Sequence, residues 1–133
     1  MPNLIEWDSR LSVGNETLDA QHQSLLAQCK ALGECLAGTG PEAEREFQEM
    51  FTALMAASRA HFADEQALLA RSGYPEDELE AHRGEGDEFN YLADEIITTE
   101  NFDRQELQTF LSLWWSGHIL GFAKKQRPFL EQH

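Results

Sequence analysis

Four stretches of this chain repeat apolar residues at three- and four-residue spacing, and each is bounded by a short run of helix-breaking residues. Leu18, Leu25, Leu26, Cys29, Leu32 and Leu36 form the first stripe, over about Glu16 to Leu36, and Gly38-Thr39-Gly40 stops it. Pro41 opens the second segment, where a missing amide hydrogen is harmless. Its inward face is read as Phe47, Met50, Phe51, Leu54, Met55, Phe62, Leu68 and Leu69, with His61 and Glu65 pointing off that face. Ser72-Gly73-Tyr74-Pro75 marks a turn, and Glu76, Asp77 and Glu78 put negative charge at the start of a third segment, where it suits the helix dipole. His82, Phe89, Leu92 and Ile96 share one side of that segment. After a break at 101–103, Asp103 is placed to cap a fourth segment carrying Leu107, Leu111, Trp114, Trp115, His118 and Phe122.

Helices joined by short connections pack antiparallel, so the expected fold is all-α, an up-down-up-down four-helix bundle. An N-terminal arm, residues 1–14, precedes it, with Leu4, Ile5, Trp7, Leu11 and Val13 laid across the helices; Pro128 is expected to end or bend the terminal extension. At 133 residues, 41% hydrophobic, the chain is read as one domain, with bundle and C-terminal extension over 15–133.

Each of the four segments contains one histidine: His22, His61, His82 and His118. A lone histidine on an apolar stripe is ordinarily a hydrogen-bonded core residue. Four buried imidazoles without partners, however, would each cost about 1–3 kcal/mol, and one shared metal satisfies them together. Glu65 follows His61 by one helical turn, which puts a nitrogen and an oxygen donor on one side of the same helix. Mixed imidazole and carboxylate donors suit iron, manganese or zinc rather than calcium or copper(I). His133, the final residue of the sequence, is expected in solvent.

Acidic residues outnumber basic ones by 24 to 10, a formal charge of −14, which argues against nucleic-acid or anionic membrane partners. The first residues lack a basic-then-apolar leader pattern, and the most apolar run, Leu111 to Ala123, is shorter than the ~20 residues of a membrane span, so a cytoplasmic location is expected. Cys29 and Cys35, six apart in one helix, fall on different faces and are read as reduced thiols.

Along most of its length the sequence resembles the hemerythrin family, specifically its single-domain bacterial members. The resemblance is carried by Trp7, Val13-Gly14, Asp19-Ala20-Gln21-His22, His61-Phe62-Ala63-Asp64-Glu65, Gly73-Tyr74-Pro75 before His82, Phe89, and Trp114 before His118-Ile119. It implies a non-haem diiron site that binds dioxygen reversibly, with His22 and His61 on one iron, His82 and His118 on the other, and Glu65 as a bridge. Two of the seven ligand positions it implies are replaced: a second histidine in the third helix by Gly86, and a bridging aspartate in the fourth by Ala123.

Five donors suffice for a single iron, and four would suit tetrahedral zinc. Glu85, three residues after His82, is an alternative donor, although with Asp87 and Glu88 it reads as a solvated edge. Gly84 and Gly86 are expected to kink or break the third helix, and Gly86 to open space for water, small anions or a small organic ligand. Three roles stay open: an oxygen-binding protein, an oxidase or peroxidase acting at the opened site, and an altered bundle without oxygen binding.

Overall fold

The computed structural model describes residues 4–131, apart from the side chains at 123, 124 and 131. Its elements are α1 (Glu16–Leu36), α2 (Pro41–Arg71), α3 (Glu76–Thr98), α4 (Arg104–Lys125) and a short α5 (Arg127–Glu131), with a single 3-10 turn, Ser9–Leu11, in the arm. The surroundings of the Ala123 side chain and the placement of His133 lie outside the described residues.

The helix boundaries follow local chemistry. Asn15 caps α1 by accepting from the Leu18 amide at 3.0 Å, and Asp103 caps α4 by accepting from the Gln105 and Glu106 amides at 2.9 and 3.2 Å. Pro41 occupies the first turn of α2. Between α2 and α3 the chain turns through Gly73 at φ +79°, a left-handed conformation that a β-carbon would strain.

The helices close into a ring, with α1 against α2 and α4, and α3 against α2 and α4. Two apolar clusters fill the interior. The larger includes Leu25, Leu32, Phe47, Leu54, Phe89, Trp115 and Ile119; the smaller includes Val13, Leu18, Leu69, Tyr74, Leu79, Phe122 and Leu130. Chain order within each helix gives the topology. The path runs from the smaller cluster to the larger in α1 (Leu18 to Leu25) and α3 (Leu79 to Phe89), and from the larger to the smaller in α2 (Leu54 to Leu69) and α4 (Trp115 to Phe122). Direction therefore alternates, giving an up-down-up-down four-helix bundle.

The arm lies across the bundle as expected. Leu4, Ile5, Trp7 and Leu11 pack on the larger cluster, the Ile5 amide donates to Ser116 Oγ at 3.0 Å, and Asp19 of α1 accepts from the Val13 amide and the Ser12 hydroxyl at 2.9 and 2.6 Å.

Two expectations are corrected. The buried stripe of α2 is Phe47, Phe51, Leu54, Met55, Ser58, His61, Glu65 and Leu69, so His61 and Glu65 point inward, while Met50, Phe62 and Leu68 are only half-buried. The third helix runs unbroken through Gly84 and Gly86, because Gly86 is buried against Phe62 and helical hydrogen bonding continues past both glycines. Near Pro128 the chain does break: α4 ends at Lys125, Gln126 turns, and Pro128 lies in the first turn of α5, where its missing donor costs nothing.

Candidate metal centre

At the level where the two apolar clusters meet, every long helix turns one imidazole inward: His22 lies between Leu18 and Leu25, His61 between Leu54 and Leu69, His82 between Leu79 and Phe89, and His118 between Trp115 and Phe122. Their common target is Glu65, the one buried acidic side chain among the described residues. Nε2 of His22, His61 and His118 lie 2.9, 2.6 and 3.1 Å from Glu65 Oε2, and Nε2 of His82 lies 3.0 Å from Oε1. All five side chains are at most 4% exposed. The structure thus brings together every site residue expected from the sequence. It groups His118 with His22 and His61 on one carboxylate oxygen and leaves His82 on the other, unlike the pairing of His82 with His118 that the resemblance implies.

Two glutamine amides hold part of this layer. Gln21 accepts from His61 Nδ1 at 2.7 Å and donates through Nε2 to Asp64 Oδ2 at 2.7 Å. Gln66 accepts from His82 Nδ1 at 2.7 Å and donates to the Leu79 carbonyl at 3.2 Å. The donated bonds fix which way each amide faces, so both imidazoles carry a proton on Nδ1 and turn Nε2 toward Glu65. That is the outer-shell pattern of metal-binding histidines. Sequence reasoning missed both glutamines. The available signal was position: Gln21 directly precedes His22, and Gln66 directly follows Glu65.

The charge environment is tuned by the same contacts. Burial alone would raise the Glu65 carboxyl, yet the His118, His22 and His61 imidazoles hold it well below the usual carboxylate range. Burial lowers the His61 imidazole despite the opposing pull of Glu65.

These residues fit a metal cation. The donor atoms of His22, His61, Glu65 and His118 all lie within 4.8 Å of one another. Three imidazole nitrogens crowd a single carboxylate oxygen, more than its two lone pairs serve well, and His61 Nε2, although 2.6 Å from that oxygen, has no hydrogen-bond partner. A buried nitrogen this close to a carboxylate oxygen yet directed so that it makes no hydrogen bond to it is a contact that ligating both to one cation resolves.

Aromatic side chains surround the layer. Trp114 stacks on His118 with ring centres 5.1 Å apart and planes 12° from parallel, while Phe62 stacks on Trp115 at 5.5 Å and 5°. A cleft of about 410 Å³ between α3 and α4 leads to His82 and His118, with Trp114 and Phe122 on its wall and Glu85 and Glu88 at its edge. Glu85 is exposed, as are Asp87 and Glu88.

Residues 13–123 match the family model described as the hemerythrin HHE cation binding domain. The chain belongs to the hemerythrin family. It is 27% identical over 133 residues to a bacteriohemerythrin of Ralstonia nicotianae, covering 97% of this chain and 90% of that hemerythrin. It is 26% identical over 130 residues to a hemerythrin-like protein of Naegleria gruberi, covering 98% of this chain and 97% of that one. No solved structure matches it at a significant level. The hemerythrin assignment and the buried layer of histidines around Glu65 agree on a metal-binding protein. Among the described residues no helix is long and apolar enough to cross a membrane.

Proposed function

We propose that this protein is a hemerythrin-like non-haem iron protein, binding dioxygen or another small ligand at a metal site built around Glu65 by His22, His61, His82 and His118. The observation that carries the reading is the convergence of four imidazole nitrogens, within 3.1 Å, on one fully buried carboxylate. Iron held there would supply a redox-active centre able to take up a small molecule reversibly. The donor set falls short of the seven positions of the family resemblance, because Gly86 and Ala123 carry no donor atom.

The chain's own residues then divide the work. Gln21 and Gln66 orient the His61 and His82 rings. Phe62, Trp114, Trp115 and Phe122 border the imidazoles and keep the layer dry. The cleft between α3 and α4 is the approach for a small ligand, and at about 410 Å³ it has room for more than a diatomic molecule. Cytoplasmic location belongs to the same reading, supported by the free thiols of Cys29 and Cys35.

Anaerobic iron loading followed by metal analysis and optical spectroscopy tests this reading. Retained iron and a visible spectrum that changes reversibly on admitting and removing dioxygen are expected; a colourless protein holding less than one metal per chain overturns it. The cleft also favours a second reading, a metal-dependent oxidase or peroxidase, since it gives an organic reductant a path to His82 and His118. Peroxidase turnover above that of free iron, abolished in His61→Ala, would select that reading.

A further inference from the structure

Glu65 presents two carboxylate oxygens to two unequal surroundings. Around Oε2 stand three imidazole nitrogens from three helices, at 2.9, 2.6 and 3.1 Å, and with Oε2 they form a group of donors within 4.8 Å of one another. Beside Oε1, among the described residues, stands Nε2 of His82 at 3.0 Å, its ring turned there by the Nδ1 bond to Gln66. His82 is not part of the compact group.

Among the described residues, the surroundings of Oε1 lack the donors for a second cation position. Residue 86, one turn beyond His82 on α3, is glycine, and a β-carbon there would lie 3.1 Å from two ring carbons of Phe62. That ring is fixed in place: it stacks on Trp115 at 5.5 Å and meets Phe89, Trp114 and His118 edge-on at 5.8, 5.5 and 5.9 Å. Residue 123 is alanine and offers no donor. The nearest acidic residues along α3, Glu85, Asp87 and Glu88, are exposed.

Charge points the same way. One divalent cation beside one buried carboxylate leaves a single net positive charge in the interior. Two cations would leave three, a few ångströms apart in a medium that screens poorly, and among the described residues no other buried carboxylate offsets them.

Resting on the metal-binding reading above, we propose that the bundle holds a single cation, on the Oε2 side of Glu65 between His22, His61 and His118. His82 then acts as a positioning residue: its ring, held by Gln66 through Nδ1, stands against Oε1 and limits how the carboxylate can turn Oε2 toward the cation. The centre is mononuclear, with three imidazoles and one carboxylate, where the family resemblance implies two irons. Three imidazoles and a carboxylate oxygen also make a four-donor set that zinc or cobalt accepts as readily as iron.

Cobalt(II) and iron(II), added anaerobically to the full-length metal-free protein, test the stoichiometry. Native mass spectrometry and elemental analysis should give one ion per chain with either metal, and cobalt should show the intense visible absorption of a low-coordinate nitrogen and oxygen site. The wild-type count needs no variant, so a folding defect cannot obscure it. Among variants whose helical circular dichroism is intact, His22→Ala, His61→Ala and His118→Ala should each lose stoichiometric cobalt binding. His82→Ala should keep one ion, with affinity about 10–100-fold weaker, as for a group acting through a ligand, and a cobalt band shifted by the reoriented carboxylate. Two ions per chain, or loss of all cobalt from folded His82→Ala, would overturn the single-cation proposal and leave the metal-binding function standing. Failure of the wild type to bind either ion would overturn both.

Discussion

His61 Nε2 lies 2.6 Å from Glu65 Oε2, one helical turn away on α2, and makes no hydrogen bond to it. The pair is held in this geometry from outside, by Gln21 on the ring and by three further imidazoles on the carboxylate. Glu65→Ala removes the group on which all four converge. It is expected to abolish metal retention and to destabilise the metal-free protein by about 3–5 kcal/mol, as when one member of a buried charged cluster is deleted. Elemental analysis and urea unfolding check the two effects separately.

Gln21→Ala and Gln66→Ala leave every proposed ligand in place and remove only the acceptors for His61 Nδ1 and His82 Nδ1. Each should weaken metal affinity by roughly 10–100-fold while leaving the helical content unchanged. Competition with a chromophoric chelator measures the affinity. An unchanged affinity in both would show that the amides merely cap the rings.

Acid should weaken the metal-free fold in two stages. Folded His61 and folded Glu65 both bind protons less readily than their ordinary values of 6.5 and 4.5 describe. The unfolded chain therefore takes up the extra protons as pH falls past each ordinary value, and stability rises with pH across that interval. The contributions are complete above about 6.5 and are lost on acidification, His61's first and Glu65's at lower pH. Urea midpoints of the metal-free protein, taken stepwise from neutral to acid pH, should fall accordingly; a flat profile would contradict the sign.

Leu54 is fully buried in the larger apolar cluster, on the same stripe of α2 as His61. Leu54→Ala should cost about 2–5 kcal/mol, the spread reflecting how far the neighbours close around the void. Chemical denaturation reads this directly.

Thiol reactivity separates the two cysteines. Burial pushes the Cys29 thiol up to about 12, while Cys35 is half-buried at the end of α1. A charged thiol reagent at mildly alkaline pH should modify Cys35 and spare Cys29 in the folded protein, and modify both in denaturant. Peptide mapping by mass spectrometry identifies the modified site.

The bundle was legible in the sequence because its boundaries rest on local chemistry: Asn15, Pro41, Gly73 and Asp103 start or stop helices by themselves. The set of four histidines and Glu65 was legible too, as one inward imidazole per segment. The orientation of α2 was not. Hydropathy follows Met50, Phe62 and Leu68, whereas the buried stripe passes through Ser58, His61 and Glu65. Polar side chains that satisfy one another in the interior rotate the true face away from the apolar one, and no periodicity of hydrophobicity records it. Gly84 and Gly86 misled in the opposite direction. A glycine's weak helix propensity is a small local cost, and packing of Phe62 against Gly86 outweighs it. The unequal division of imidazoles between the two oxygens of Glu65 depends on side-chain directions, those of His61 and His82 being set by Gln21 and Gln66 through contacts between distant parts of the chain.

The imidazole layer lies between two separate apolar clusters and draws one residue from each of α1, α3 and α4 and two from α2. An ion seated there would rivet α1, α2 and α4 at a single height, with α3 tied in only through His82 beside the same carboxylate, and with an oily plug above and another below. Slippage of α1, α2 or α4 along its neighbours would then tear a nitrogen from the knot. Competence to bind therefore arrives last in assembly, once both plugs have set and the register of every rod is correct.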